Sequence, residues 1–319
     1  MLIRVNAELT RQEICADLRN ELISILGQDR DKRGRRQRKG AYGEAASRKE
    51  LVATIRNPIL LTDINAISRF EPTTRDTLVS LYQSYPRTVE YDEVSVRWDP
   101  ARHVDVWGPS IDTLVFAKAM KNHKEVLGGT SALEIGSGSG FLGKYLLHKS
   151  RLLSLDQVDL NPYAVLCTNE NVEPLHKNQH ARAYVADGTR LKGRFDRVLC
   201  SPPYVPRPKS IEDNPYEGVG LLRHMIVGGG RYVSEDGMVI LTTSSLCQNI
   251  RDAAIEDAET TGRLDSVEVI GRMNVPLKVN PVLNNVEWMS YLRNAGLAKN
   301  PSGGYEYWHE INILKLSYK

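Results

Sequence analysis

Cysteine is scarce and scattered. Cys15, Cys167, Cys200 and Cys247 form no CxxC pair. That spacing argues against a disulfide framework and a cysteine zinc site, so no metal is expected and a reducing, cytoplasmic setting is. Long apolar runs are missing as well. Nothing approaches the roughly 20 residues a membrane-spanning helix needs, so no membrane partner is expected. The opening MLIRVNAELTRQEICADL has neither the apolar core nor the small-residue cleavage site of a secretory leader. Charge of one sign does not dominate either: the formal net charge of +3 does not by itself mark a nucleic-acid binder. There is no internal repeat. One biased stretch stands out, RDKRGRRQRK at 30–39, in which seven of ten residues are basic.

What is present is ordinary globular composition, 41% hydrophobic and 25% charged over 319 residues, enough for one large or two ordinary domains. Residues 1–85 read as a small helical domain. ELTRQEICADLRNELISIL repeats its apolar residues at helical spacing, and EAASRKELVATIR and TTRDTLVSLYQSY read as two more helices. The basic run lies between the first two helices and has no apolar residue, which reads as an exposed loop. A β connector is expected over 86–104, where RTVEYDEVSVRW alternates as a strand pair does. From 105 to 319 strands and helices alternate, which predicts an α/β domain: a mostly parallel sheet with helices on both faces.

The glycine-rich stretch LEIGSGSGFLG joins a predicted strand to a predicted helix. Gly138, Gly140 and Gly143 spell GxGxxG, a dinucleotide pattern that is weak by itself. Acids end three successive strands: Glu134 before Gly136, Asp159 in VDLN, and Asp187 in VADGT. Strand tips of this kind are where open α/β sheets bind ligands. Carboxylates there suit ribose hydroxyls, an adenine amine and a cation better than a pyrophosphate. Together these motifs resemble the class I S-adenosylmethionine-dependent methyltransferases, whose sheet is Rossmann-like. The resemblance covers about residues 100–317. It implies S-adenosyl-L-methionine as cofactor, held by Glu134, Gly136, Ser137, Gly138, Gly140, Asp159, Leu160, Asn161, Asp187 and Gly188.

In that family the fourth strand ends at the methyl acceptor. Enzymes acting on a planar nitrogen often carry Asn, Asp or Ser there, then Pro-Pro and an aromatic residue. Here FDRVLC runs into Ser201, Pro202, Pro203 and Tyr204. A serine Oγ and a rigidly held Pro202 carbonyl can accept N–H bonds, and a tyrosine face can stack on the planar group. These four residues are the catalytic candidates. YDEVSVRWDPARHVDVWGPSIDT is similar to the β connector and leading loop of the HemK-type glutamine methyltransferases, with Pro109, Asp112 and Thr113 in corresponding places; Pro109 and Thr113 join the cofactor set. YEGVGLLRHMI is similar to their following helix start. The resemblance implies a protein glutamine amide as acceptor, and a release-factor or ribosome-associated partner bound with help from residues 1–85. Two departures are plain: those enzymes have Asn where this chain has Ser201, and Arg-Pro where it has Gly108-Pro109.

Ser201 and the basic loop at 30–39 also admit methylation of an exocyclic base amine in RNA or DNA. The GxGxxG pattern admits a nicotinamide-dependent oxidoreductase, in which SPPY has no task, or a fold that binds cofactor without catalysis. Glu217, in the loop after SPPY, could approach the acceptor. His224 and His309 read as packed histidines and Trp107 as a packing or cofactor-covering residue. Thr243 and Ser244 end the fifth strand near the expected pocket, and 274–296 reads as part of its wall.

Overall fold

The computed structural model describes residues 86–208, 219–277, 280–283, 285–302 and 305–319. The helical reading of 1–85, the basic loop at 30–39 and Glu217 lie outside these.

The described chain opens on an antiparallel hairpin, β1 (Arg87–Tyr91) and β2 (Val94–Trp98). Its two turn residues, Asp92 and Glu93, both take positive φ, at 50° and 66°, a two-residue turn usually built from Asn and Gly. The Asp92 side chain secures it, with Oδ1 accepting from Lys121 Nζ at 2.9 Å and Oδ2 from the Tyr145 hydroxyl at 2.9 Å.

Alternation then follows: α1 (Ile111–Asn122), β3 (Ser131–Ile135), α2 (Phe141–Lys149), β4 (Ser154–Asp159), α3 (Pro162–Asn171), β5 (His180–Val185), β6 (Phe195–Cys200), α4 (Gly220–Gly228), β7 (Val233–Ser244), α5 (Gln248–Thr260) and β8 (Leu264–Pro276). Short α6 (Asn280–Leu283), α7 (Val286–Asn294), β9 (Ala298–Ser302) and β10 (Tyr305–Tyr318) complete it. The sheet order is β5-β4-β3-β6-β7-β10-β8, with β9 on β10. Strands β5 to β7 in that order run parallel, and β10 runs antiparallel to both its neighbours. This is the mostly parallel, Rossmann-like sheet the alternation predicts. Two apolar layers hold it. One packs α1 and α2 with the hairpin, through Phe116, Met120, Phe141 and Tyr145. The other packs α4 and α5, through Leu222, Met225, Ala254 and Ala258.

Helix α5 is absent from the sequence reading for a physical reason. Its fully buried residues are Ala254 and Ala258, a small-residue stripe that carries little hydrophobic signal. Among the described residues, no helix is long and apolar enough to cross a membrane.

Asp196 joins the bases of three strands. Its Oδ2 accepts from Thr130 N (2.7 Å) and Ser131 N (3.2 Å), and its Oδ1 from the Ser234 hydroxyl (2.7 Å). Burial works against its charge, but hydrogen bonds from Thr130, Ser234 and Ser131 outweigh it and hold the carboxyl down at about 2. A depressed folded-state value contributes stability above the ordinary carboxylate range, lost as pH falls through about 2. Asp196→Ala is expected to lower unfolding stability by about 1–2 kcal/mol at pH 7, with the deficit shrinking toward pH 2, read by urea titration at several pH values.

Candidate active site

Parallel pairing sets the site. Ile135 of β3 lies beside Val158 of β4 on one side and Cys200 of β6 on the other. The glycine loop, the VDLN tip and the SPPY segment therefore leave adjacent strands at one edge of the sheet.

The glycine loop uses its freedom where the turn needs it: Gly136, Gly138 and Gly140 have φ of 76°, 53° and 78°. A Cβ on Gly136 would meet nothing within 4 Å, so this backbone faces open space. At Gly140 a Cβ would come within 2.8 Å of Val172 and 3.1 Å of Thr168, so the loop rests tightly on the end of α3. Ser137 is buried, its Oγ accepting from the Thr168 hydroxyl at 3.0 Å.

The three strand-end acids take different positions. Asp159 Oδ2 accepts from Gly138 N at 3.0 Å and Oδ1 from Asn161 N at 2.9 Å. Burial raises its carboxyl above the ordinary value, partly offset by those amides. Leu160, next in line, is exposed at the tip. Asn161 caps α3, accepting from Tyr163 N, while its Nδ2 donates to Val104 O at 2.9 Å. Asp187 accepts from both Thr189 N and the Thr189 hydroxyl (2.9 and 2.6 Å), and Arg190 Nε lies 3.1 Å from it. The Thr189 hydroxyl bond above all keeps its carboxyl below the usual value. Gly188 sits where a Cβ would be 2.4 Å from Ile135.

Glu134 is turned inward. It is 3% exposed and its Oε2 accepts from Gln157 Nε2 (2.6 Å) and Gly143 N (3.1 Å). Burial pushes it up to about 8, with the Asp159 charge adding to the rise. The open space beside Gly136 thus lies next to Asp159, which holds Gly138, with Asp187 at the tip of β5 and Glu134 beneath α2.

The leading loop passes against the glycine loop, with the Trp107 carbonyl 3.4 Å from where a Cβ on Gly138 would be. Pro109 is buried, Thr113 Oγ1 accepts from Ser110 N at 3.2 Å to cap α1, and Ser110 Oγ donates to Asp112. Trp107 is 69% exposed, so its ring is not a packing residue in the chain alone.

At the tip of β6, Ser201 Oγ donates to Thr242 Oγ1 at 3.1 Å, with Thr242 fully buried on β7. With its one proton so directed, Ser201 has lone pairs left for an incoming N–H. Pro202 is buried and Pro203 half-buried. The Tyr204 ring is half-buried while its hydroxyl lies inside, donating to Asp112 Oδ2 at 3.2 Å. Burial first, then the Asp112 charge, drives the phenol well above its ordinary value, so it stays protonated and serves as a donor, not a base. His309 lies 6.0 Å from that ring, tilted at 42°, and its Nδ1 is 2.9 Å from the Ser244 hydroxyl. Downstream, Trp288 of α7 donates to the Pro206 carbonyl at 2.8 Å and carries Arg207 over its ring, so 286–294 does stand against this loop. His224 pairs with the Tyr232 hydroxyl at 2.8 Å. Thr242 and the Asp112–Tyr204 bond are absent from the sequence reading; the TTSS run at the end of β7 is the signal for the first.

These residues fit a sulfonium nucleoside: an open glycine backbone, carboxylates at the rim and an N–H-accepting hydroxyl on the neighbouring strand. Comparison with known proteins points to a methyltransferase. Residues 110–249 match the methyltransferase small domain. The chain is 26% identical over 196 residues to a Methanocaldococcus jannaschii protein bearing the name "putative protein N5-glutamine methyltransferase", covering 57% of this chain and 92% of that one. It is 32% identical over 111 residues to the mouse (Mus musculus) methyltransferase HEMK2, covering 33% of this chain and 51% of that one. It is 34% identical over 76 residues to a Vibrio vulnificus tRNA1(Val) (adenine(37)-N6)-methyltransferase, covering 23% and 31%. The chain thus spans about half or less of the latter two. The match over residues 110–249 and these relatives together indicate an S-adenosylmethionine-dependent methyltransferase, and the chain resembles the HemK-type enzymes.

Proposed function

We propose that the acceptor is a planar nitrogen, and in the first instance the side-chain amide of a protein glutamine. The observation that carries this is the direction of the Ser201 hydroxyl. Its proton goes to Thr242, so Oγ meets the substrate as an acceptor, beside the Pro202 carbonyl. A primary amide offers two N–H bonds, one for each. Its lone pair, delocalised into the carbonyl, gains nucleophilic character as the N–H bonds are drawn out of the amide plane. The bound cofactor supplies an activated methyl group. The chain's own part is to orient the nitrogen, stack its plane on Tyr204 and receive its N–H groups; orientation of this kind is worth up to about 7–11 kcal/mol. The M. jannaschii and mouse relatives favour this reading.

A second reading has one observation in its favour. An exocyclic base amine also offers two N–H bonds, and a serine hydroxyl lacks the donor that the HemK-type asparagine turns to a glutamine oxygen. The Vibrio relative acts on a tRNA adenine. Incubating the protein with tritiated S-adenosylmethionine and cell extract, then digesting with protease or nuclease, separates the two. Label recovered as methylglutamine is expected; label released solely as nucleosides removes the protein reading.

A further inference from the structure

The loop between β2 and α1, residues 99–109, forms a strap across the glycine loop. The Trp107 carbonyl lies 3.4 Å from where a Cβ on Gly138 would be, and Gly108 packs directly on the Trp98 ring. Helix α3 supplies the strap's tethers. Asn161 donates to the Val104 carbonyl. Asn171 exchanges bonds with both backbone groups of Arg97, at 2.7 and 2.9 Å, where the strap begins. Between them Glu170 receives Arg102 Nε (2.8 Å) and Nη2 at Oε1, and faces His103 Nε2 at 3.0 Å with Oε2.

His103 is 2% exposed. Its Nδ1 accepts the Asp99 backbone N–H at 3.1 Å, so the ring proton sits on Nε2 and is donated to Glu170. The same residue closes the turn through its backbone: His103 N donates to Asp99 O at 2.7 Å, and His103 O accepts from Val106 N at 3.3 Å. The carboxylate therefore fixes a buried ring, the ring fixes the turn, and the turn delivers the Trp107 carbonyl to the glycine loop. The Arg102 pair is largely solvated and adds little by itself. The buried imidazole link is the stronger part, since losing it leaves an N–H without its acceptor.

We propose that Glu170 is a positioning residue for the cofactor cleft: it latches the strap against the glycine loop and so sets how long the nucleoside stays bound. The proposal rests on the assignment of that cleft to S-adenosylmethionine. Glu170 lies outside the glycine loop, the strand-tip acids and SPPY, so its effect passes through the strap.

The test uses the full chain with S-adenosylhomocysteine as probe, in stopped-flow displacement followed by the fluorescence of exposed Trp107. Glu170→Ala is expected to raise the dissociation rate about tenfold, with association within about twofold. Glu170→Gln keeps an acceptor oxygen and is expected to recover most of the loss. Arg102→Ala, on a side chain 61% exposed, carries no folding risk and is expected to give a small part of the effect. In the protein without probe, amides of 101–108 should exchange faster in Glu170→Ala while those of β3 and α2 do not change. An unchanged dissociation rate overturns the latch. So does a uniform rise in exchange across α3 and the hairpin with a lowered Tm, the mark of a merely structural role. If the wild-type chain binds no probe by calorimetry, the cofactor assignment fails, and strap exchange still decides whether Glu170 holds the strap.

Discussion

The Tyr204→Ala variant is expected to transfer methyl groups about a hundredfold more slowly than the wild type, with S-adenosylhomocysteine affinity within about threefold. The separation follows from where the residue sits. Tyr204 follows β6, whereas the glycine loop, Asp159 and Asp187 follow β3, β4 and β5, so the ring is no part of the strand tips proposed to hold the nucleoside. It does remove the flat surface beside Ser201 and the hydroxyl 3.2 Å from Asp112, whose loss the threefold allowance in nucleoside affinity covers. Tyr204→Phe divides these roles. It keeps the face and loses the anchor, and a loss of about three- to tenfold is expected, mostly in acceptor KM. Burial holds the phenol protonated, so neither variant should alter the pH profile of kcat below pH 9. Initial rates with tritiated cofactor, paired with calorimetry, measure both. A Tyr204→Ala enzyme with wild-type rate ends the assignment of SPPY as the acceptor site.

Legibility in the sequence tracks how local the determinant is. The glycine loop, the VDLN and VADGT tips and SPPY each occupy a few consecutive residues at a strand end, and parallel pairing brings them together once the alternation is recognised. Contacts between distant segments left no trace of that kind. The Tyr204–Asp112 bond spans 92 residues and the His103–Glu170 pair 67, and neither partner is unusual in its own neighbourhood. Direction within a strand was equally hidden: Glu134 and Asp159 read alike as strand-end acids, yet one faces Gln157 and Gly143 and the other Gly138. The alanine-lined α5 was lost because the hydrophobic stripe that marks a helix is missing from it.

Glu134 gives the second large effect, through pH. Its carboxyl is enclosed, and burial lifts it to about 8 in the folded protein against about 4.3 in an unfolded chain. The folded state therefore binds this proton more tightly. The resulting stability is complete below about pH 4.3 and is lost as pH rises through about 8, at up to about 1.4 kcal/mol per pH unit. Glu134→Gln can still accept from Gly143 N but has no proton to lose. Its stability is expected to be nearly flat from pH 5 to 8, crossing the falling wild-type curve. Glu134→Ala leaves the Gln157 amide and the Gly143 N–H unsatisfied around a void, and a loss of about 2–4 kcal/mol is expected at pH 5. Urea unfolding at pH 5, 6, 7 and 8 measures all three chains, and parallel wild-type and Gln curves would remove Glu134 as the source of the slope. The consequence reaches the site because Gly143 lies in the first turn of α2, just after the glycine loop; a Cβ there would lie 2.6 Å from Glu134 Oε2. Strand β3 and the start of α2 are thus joined by one carboxyl. Ionising it in that enclosed space strains the seat on which the loop rests, so nucleoside affinity in the wild type should decline over the same pH range as stability and hold steady in Glu134→Gln.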